Sequence, residues 1–206
     1  MKLIDISPLI NARTAVWPGD VPWTRSVSLD TNQGDHLTLS SMHCTTHLGA
    51  HADAPNHYVA NGQGIEARAL ERYYGQCQVI SVALPRGARI RPQDLRQPIT
   101  APRVLFHTES FPNPEVWNSD FNALSAELIH FLSAQGVELV GIDTPSIDPQ
   151  EDQHLESHHA VAAKDMAILE GLVLTLVPDG EYTLCAFPLR LEAADASPVR
   201  AVLIRA

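Results

Sequence analysis

One eleven-residue segment, from His47 to His57, limits how this chain can fold more than any other part of the sequence. Its sequence, HLGAHADAPNH, holds three histidines and an aspartate, which are all metal-ligand types. Gly49 and Pro55 disfavour a helix, and leucine follows His47 where the helical zinc motif H-E-x-x-H has glutamate. With the period of two of an extended chain, the histidines and Asp53 fall on one side and the apolar residues on the other. The segment therefore predicts an extended strand or loop with one metal-binding face.

A second group of candidate ligands lies much further along the chain. His154, His158 and His159 are followed by Glu170, which stands within an apolar run. One segment supplies too few ligands for two ions, so this group would complete a site if the fold brings both regions together. Nitrogen and carboxylate donors without thiolate favour zinc, with manganese and iron as alternatives. Two other interpretations stay open, a polar first helical turn for the histidines and a water-facing edge position for Glu170.

Apolar and β-branched runs alternate with helical patterns along the chain. The predicted strands are 2–6, 23–29, 37–42, 78–84, 104–108, 137–143, 166–169 and 199–204, with another near 183–191. The predicted helices are 64–74, 125–135 and 157–163. Strands outnumber helices and both kinds of connection occur, which predicts a mixed α/β domain with a mixed sheet. No repeat or linker interrupts the pattern, so we predict a single domain over residues 1–206.

Charge and cysteine content limit which partners the protein is expected to bind and which cellular compartment it is expected to occupy. The 206 residues include 14 Lys and Arg against 24 Asp and Glu, a formal net charge of −10, and the basic residues are scattered. We therefore expect neither nucleic acid nor an anionic membrane as a partner. Three cysteines without C-x-x-C spacing, and an amino terminus without a signal-peptide pattern, predict a protein of the reducing cytoplasm.

The segment from His47 to His57 also matches the motif of a known enzyme family. Written as H-x-G-A-H-A-D-A-P-x-H, it resembles the H-x-G-T-H-x-D-x-P-x-H signature of the cyclase-like, metal-dependent amidohydrolases. Ala50 stands where the broad family has threonine, and this variant is similar to the branch of bacterial arylformamidases, or kynurenine formamidases. The resemblance extends over essentially the whole chain, with further matching segments at 17–20, 141–146, 157–159, 168–171 and 197–200.

The resemblance implies a centre of two metal ions in a β/β/α layered, cyclase-like fold that is usually a homodimer. His47 and His51 would hold the first ion, His158 would hold the second, and Asp53 and Glu170 would bridge both. In that branch the glutamate lies twelve residues beyond the histidine ligand, as Glu170 does beyond His158. Two zinc ions per subunit are implied, with manganese as the alternative.

The resemblance further implies a reaction on a linear amide. It is the zinc-dependent hydrolysis of N-formyl-L-kynurenine to L-kynurenine and formate in tryptophan degradation, by attack of a metal-bound hydroxide on the formyl carbon. Zinc suits this step because it lowers the pKa of bound water from 15.7 to about 7. His57 would be the general acid/base and Trp17 would contact the aromatic substrate. For Asp143, both orientation of a ligand and capping of a loop stay open.

Two other functions stay open at this point. A related hydrolase that opens isatin or another cyclic amide would use the same residues. A non-catalytic metal-binding protein would use the same imidazoles, although ligands drawn from distant segments suit a catalytic site better than a closed structural one. Turnover, and not metal content, separates these functions.

Overall fold

The computed structural model describes residues 1–205, which form thirteen strands and two α-helices. In chain order the strands are β1 (Lys2–Asp5), β2 (Thr24–Leu29), β3 (Leu39–His43), β4 (His51–Asp53), β5 (Tyr74–Ser81), β6 (Arg89–Ile90), β7 (Arg103–His107), β8 (Ala123–Leu124), β9 (Leu139–Ile142), β10 (Ala167–Glu170), β11 (Gly180–Cys185), β12 (Ala196–Pro198) and β13 (Val202–Arg205). The helices are α1 (Ala126–Ala134) and α2 (Glu156–Ala163). Over the described range, no helix has the length and apolar character needed to cross a bilayer.

Nine strands form one sheet in the order β1-β13-β11-β5-β7-β9-β10-β4-β12. The pairs β5/β7, β7/β9 and β9/β10 are parallel, whereas the pairs on either side of them are antiparallel. Parallel neighbours require crossover connections, and α1 and α2 provide those from β7 to β9 and from β9 to β10. Helix α1 begins where the sequence predicts, because the Ser125 side chain accepts a hydrogen bond from the Leu128 amide at 3.1 Å. The mixed sheet that we predict is confirmed.

The two faces of this sheet carry separate apolar clusters. Along β7, Val104 and Phe106 face the cluster that includes both helices, whereas Leu105 faces the opposite cluster. Ala52 of β4 and Leu203 of β13 belong to that opposite cluster, although these strands lie near opposite ends of the sheet. The sheet therefore curls around its own core and forms two β layers, with the helices as the third. This arrangement confirms the predicted mixed α/β fold.

The predicted helix 64–74 is wrong. The chain forms two short 3-10 turns, Ile65–Ala67 and Leu70–Tyr73, and is extended between them. Arg68 lies at this break, with ψ of 130°, and its guanidinium donates a hydrogen bond to Asp165 Oδ1 at 2.8 Å. The buried Arg68 side chain also donates a hydrogen bond to the Met166 carbonyl oxygen at 3.0 Å, so tertiary contacts accompany the break in place of a continuous helix.

The other departures concern strand boundaries. The strand predicted near 183–191 is Gly180–Cys185, and the one predicted at 199–204 begins only at Val202. The sequence pattern does not indicate β6, β8 and β12 as strands. Each has only two or three residues, which is too short for hydrophobic alternation to be visible.

Strands β2 and β3 form an antiparallel hairpin apart from the main sheet. Almost all residues of this hairpin are exposed, including the large apolar side chains of Val27, Leu39 and Met42. The hairpin lies between Asp20 and His47 in the sequence. Its two ends therefore adjoin segments that contribute residues to the candidate functional site.

Candidate metal centre

The pairing of β4 with β10 brings three of the predicted ligands together. The strands are antiparallel, and Glu170 lies opposite His51. His51 and Asp53 are two residues apart in β4 and therefore point to the same face. The His51 Nε2 atom lies 3.4 Å from Asp53 Oδ1 and 3.2 Å from Glu170 Oε2, and all three side chains are at most 3% exposed. One ring nitrogen thus faces two buried carboxylates, and the water-facing position considered for Glu170 is wrong.

Two glycines allow this close approach of the strands. Gly171 follows Glu170 directly and has a φ of +64°. A Cβ atom added there would lie 2.1 Å from the carbonyl oxygen of Gly49, which precedes β4 and also has a positive φ of +60°. No side chain larger than hydrogen fits at Gly171 without moving one of the two ligand-bearing segments.

Helix α2 supplies His158 from its first turn. The carboxylate of Asp148 accepts hydrogen bonds from the backbone N–H groups of Ser157 and His158, at 3.1 and 3.0 Å, and so caps the helix. The same carboxylate lies 2.8 Å from His158 Nδ1. The other ring nitrogen, Nε2, lies 3.4 Å from Asp53 Oδ2 and 3.5 Å from Glu170 Oε1. Asp148 therefore directs this second nitrogen toward the two carboxylates.

His47 and His57 lie on either side of β4. The His47 Nδ1 atom is 3.1 Å from Asp53 Oδ1, and its Nε2 atom is 3.1 Å from Oδ2 of Asp195. His57 ends the 3-10 turn Pro55–His57, and its ring centroid is 4.2 Å from that of His47. Its side chain is 35% exposed, which makes it the most accessible of the four histidines. Burial lowers the pKa of His57.

The cluster has the electrostatic character of a cation site. His51 Nδ1 lies 2.9 Å from the carbonyl oxygen of Gly49, which can only accept, so the ring proton of the neutral imidazole is on Nδ1. His51 Nε2 and both carboxylate oxygens of Asp53 are buried and have no hydrogen-bond partner among residues 1–205. Acceptors that face each other in a buried site are costly, and a bound cation would satisfy all of them. The donor set of imidazole nitrogen and carboxylate oxygen therefore fits a metal such as zinc or manganese.

The pKa values of this cluster point the same way. Burial acts to lower the pKa of His47, but the nearby carboxylates of Asp53 and Asp195 raise it to about 10. Burial also acts against protonation of His158, whose pKa is nevertheless raised by Asp148, Asp53 and Glu170. Without a metal, the carboxylates thus draw protons onto the histidines. A site that requires positive charge in this way is suited to bind a metal ion.

The two carboxylates each face two sets of histidines. Asp53 presents Oδ1 to His47 and His51 and Oδ2 to His158. Glu170 presents Oε2 to His51 and Oε1 to His158. Each carboxylate therefore has one oxygen directed to each set of histidines.

A cavity of about 430 Å³ opens above the cluster. All the predicted site residues except Asp53 contribute to its lining. One wall is aromatic and includes Trp17, Trp117 and Phe111. The ring centroids of Trp17 and Trp117 are 5.3 Å apart in an edge-to-face arrangement, and the indole of Trp117 donates a hydrogen bond to Gln150 at 2.8 Å. The wall is therefore held rigidly by its own packing and by this bond.

Three residues that the sequence suggested for the site, His154, His159 and Asp143, lie outside the cluster. His154 and His159 are exposed, and among the described residues neither belongs to the group of possible metal ligands that includes His158. Asp143 lines the cavity, but its carboxylate accepts hydrogen bonds from the Thr108 amide and hydroxyl and from the Glu109 amide. It therefore caps the loop after β7, which is one of the two roles left open for it.

Sequence reasoning missed two carboxylates beside the cluster, Asp148 and Asp195. Asp148 reaches His158 across a loop, and Asp195 reaches His47 from the segment just before β12. Neither residue stands in a pattern with the histidine that it contacts. For Asp195, the only indication in the sequence is its place just before the matching segment 197–200.

A comparison with models of known protein families identifies the family of this chain. The Cyclase family model matches residues 4–149, a range that contains His47, His51, Asp53 and His57 and ends before His158. The chain belongs to the Cyclase family.

Solved structures share the whole fold of this Cyclase-family chain. A structure described as a potential metal-dependent hydrolase with cyclase activity is 26% identical, with a TM-score of 0.84, and the match covers 98% of this chain and 96% of the other. A predicted metal-dependent hydrolase from Bacillus stearothermophilus is also 26% identical, with a TM-score of 0.81 and coverage of 98% and 97%. Isatin hydrolase A from Labrenzia aggregata is 19% identical, with a TM-score of 0.80 and coverage of 98% and 93%, and so shares the fold. The predicted cyclase-like fold is confirmed.

Proposed function

We propose that this protein is a metal-dependent hydrolase that cleaves N-formyl-L-kynurenine to L-kynurenine and formate. The observation that carries the proposal is the buried cluster of imidazole and carboxylate donors, some without hydrogen-bond partners, at the base of an aromatic-walled cavity. Two structures described as metal-dependent hydrolases share the fold at 26% identity, which supports the reaction class. The resemblance of residues 47–57 to the arylformamidase motif supports the choice of substrate.

We further propose that the cluster holds two zinc ions, with manganese as the alternative metal. His47 and His51 would bind one ion, His158 would bind the other, and Asp53 and Glu170 would lie between them. The distances from each carboxylate to both sets of histidines support this assignment. Zinc bound there would supply a nucleophile at neutral pH and electrophilic stabilisation of the carbonyl oxygen.

His57 is the residue that we propose for proton transfer. It lies at the edge of the cluster, beside His47, and lines the cavity. Its imidazole is partly exposed and can therefore reach both a substrate and solvent. Hydrolysis of an aryl formamide requires a proton on the departing aniline nitrogen, and a neighbouring imidazole can deliver it.

The aromatic wall is the basis for proposing an aryl substrate. Trp17, Trp117 and Phe111 offer flat apolar surfaces that suit a benzene ring. Trp17, which we expect to contact the substrate, lines the same cavity as the cluster and packs against Trp117. Isatin and related cyclic amides also carry a benzene ring, so the wall by itself does not choose between a linear and a cyclic amide.

The decisive experiment is turnover of N-formyl-L-kynurenine by zinc-loaded protein, followed by the absorbance of kynurenine. Chelated protein and the variant His57→Ala serve as controls, and isatin is offered in parallel. We expect rapid kynurenine formation that disappears on chelation. Turnover of isatin alone would favour the cyclic-amide hydrolase, and no turnover of either compound by metal-loaded protein would favour a metal-binding protein without this activity. Turnover that resists chelation would refute the metal mechanism.

The β2–β3 hairpin supports a further proposal, that the protein is a homodimer. An isolated two-stranded hairpin is marginally stable in water. This one exposes Val27, Leu39 and Met42, and a second copy of the chain would cover them. Equilibrium sedimentation should give twice the 22.5 kDa chain mass, and Met42→Lys should shift the protein toward monomer. A wild-type monomer at micromolar concentration would refute this proposal.

A cytoplasmic location without nucleic acid or membrane partners stays a prediction.

A further inference from the structure

Asp195 lies beside the proposed metal ligands but outside the predicted set. It directly precedes β12, the outermost strand of the sheet, and the next residue, Ala196, pairs with Asp53 of β4. The Ala54 amide donates a hydrogen bond to the Asp195 carbonyl oxygen at 2.8 Å, which fixes the backbone at this point. The carboxylate is fixed as well, because its Oδ1 atom accepts a hydrogen bond from the Thr46 hydroxyl at 2.9 Å.

The second oxygen of this carboxylate contacts the outer nitrogen of His47. Asp195 Oδ2 lies 3.1 Å from His47 Nε2, whereas His47 Nδ1 lies 3.1 Å from Asp53. The distance from Asp195 to His57 Nδ1 is longer, at 3.7 Å. Thus Asp195 makes its close contact with His47, on the side opposite the buried cluster.

The other two proposed histidine ligands have the same arrangement. His51 is bonded through Nδ1 to the Gly49 carbonyl oxygen, and His158 is bonded through Nδ1 to Asp148. In each case the outer nitrogen meets an acceptor and the inner nitrogen faces the carboxylates of Asp53 and Glu170. A hydrogen bond on one ring nitrogen determines which tautomer is present and leaves the other nitrogen free to bind a metal.

We propose that Asp195 is a positioning residue that accepts a hydrogen bond from His47 Nε2–H and holds Nδ1 toward the metal. The inference rests on the proposed metal centre, and it concerns how strongly that centre binds metal. Loss of such an outer acceptor typically weakens metal binding or activity by roughly 10–100-fold. A different reading of the same geometry is that His47, His57 and Asp195 themselves form a separate metal site, since their ligand atoms lie within 4.8 Å of one another.

The test is a competition titration of zinc against a chelator for the full-length protein and three variants. Asp195→Ala removes the acceptor, and Asp195→Asn retains an oxygen that can accept the same bond. Asp120→Ala is the matched control, because that carboxylate is also about half exposed and its partner, Arg86, lies away from the cluster. Circular dichroism and thermal melting establish that each variant is folded, which we expect because Asp195 is 47% exposed.

We expect Asp195→Ala to weaken one of two zinc-binding events by roughly 10–100-fold. Asp195→Asn should recover most of that loss, and Asp120→Ala should bind as the wild type does. Unchanged zinc affinity in folded Asp195→Ala, or equal losses in the alanine and asparagine variants, would overturn the proposal. So would a third zinc ion in the wild type that both Asp195 variants lose.

The measurement also separates this inference from the proposed reaction. If the wild type binds zinc but does not hydrolyse N-formyl-L-kynurenine, the proposed substrate is wrong and the titration still decides the role of Asp195. If the wild type binds no zinc or manganese, both the metal centre and the role of Asp195 are refuted.

Discussion

The close approach of Gly171 to Gly49 leads to a quantitative prediction for Gly171→Ala. Two separate costs arise at this position. The backbone has a φ of +64°, where an alanine costs about 1–2 kcal/mol. The new Cβ would also lie 2.1 Å from the carbonyl oxygen of Gly49, and forced overpacking typically costs about 1–3 kcal/mol. Together these costs amount to roughly 2–5 kcal/mol of unfolding free energy.

Gly136→Ala is the matched control for this prediction. Gly136 also has a positive φ, of +82°, but no atom lies within 4 Å of an added Cβ. It therefore has only the backbone cost of about 1–2 kcal/mol. The difference between the two variants isolates the contact between the segments that carry His51 and Glu170.

Urea unfolding followed by circular dichroism measures both losses in metal-free protein. A chain of this size loses about 2–4 °C in Tm for each kcal/mol, so Gly171→Ala should melt roughly 4–20 °C below the wild type. It should also bind zinc more weakly, because the contact cannot be relieved without moving His51 or Glu170. If Gly171→Ala loses no more stability than Gly136→Ala, the close packing of these segments is not what glycine provides here.

Three further outcomes follow from individual side chains. Glu170→Gln should lose zinc, because a neutral amide is a poor bridge between two ions; two fully occupied ions in this variant would contradict the assignment. His57→Ala should keep its zinc and lower kcat by roughly 10²–10⁴, and unchanged turnover would remove His57 from the mechanism. A hydrogen bond from Arg68 lowers the pKa of Asp165 below 3.8, so its stabilising contribution is full above that pH and is lost as the pH falls further. Asp165→Asn should therefore reduce the unfolding free energy by more at about pH 6 than at about pH 2, which a urea titration at both pH values would check.

The local features of this protein can be predicted from its amino-acid sequence. The alternation in residues 47–57 indicated an extended chain, and His51 and Asp53 do share one face of β4. Ser125 indicated the start of α1, where its side chain caps the helix. These features depend on neighbours within a few residues, whose conformational preferences are visible in the sequence.

Local sequence preference did not predict the secondary structure of segments whose conformation depends on contacts with distant parts of the chain. Residues 64–74 have a helical pattern, yet Arg68 bonds to Asp165 and the chain is extended between two short turns. The strands β4 and β12 have three residues each and exist because they pair with each other and, for β4, with β10. Such short strands gain their stability from the sheet and not from their own composition.

Only the tertiary structure brought the two groups of candidate ligands into one cluster. His51 meets Glu170 because β4 pairs with β10, and His158 meets both because α2 crosses from β9 to β10. Asp148 and Asp195 were not visible as partners of histidines for the same reason. Spacing along a chain fixes which residues share a face of one element, whereas contacts between elements depend on the order of strands in the sheet and on the packing that stabilises it.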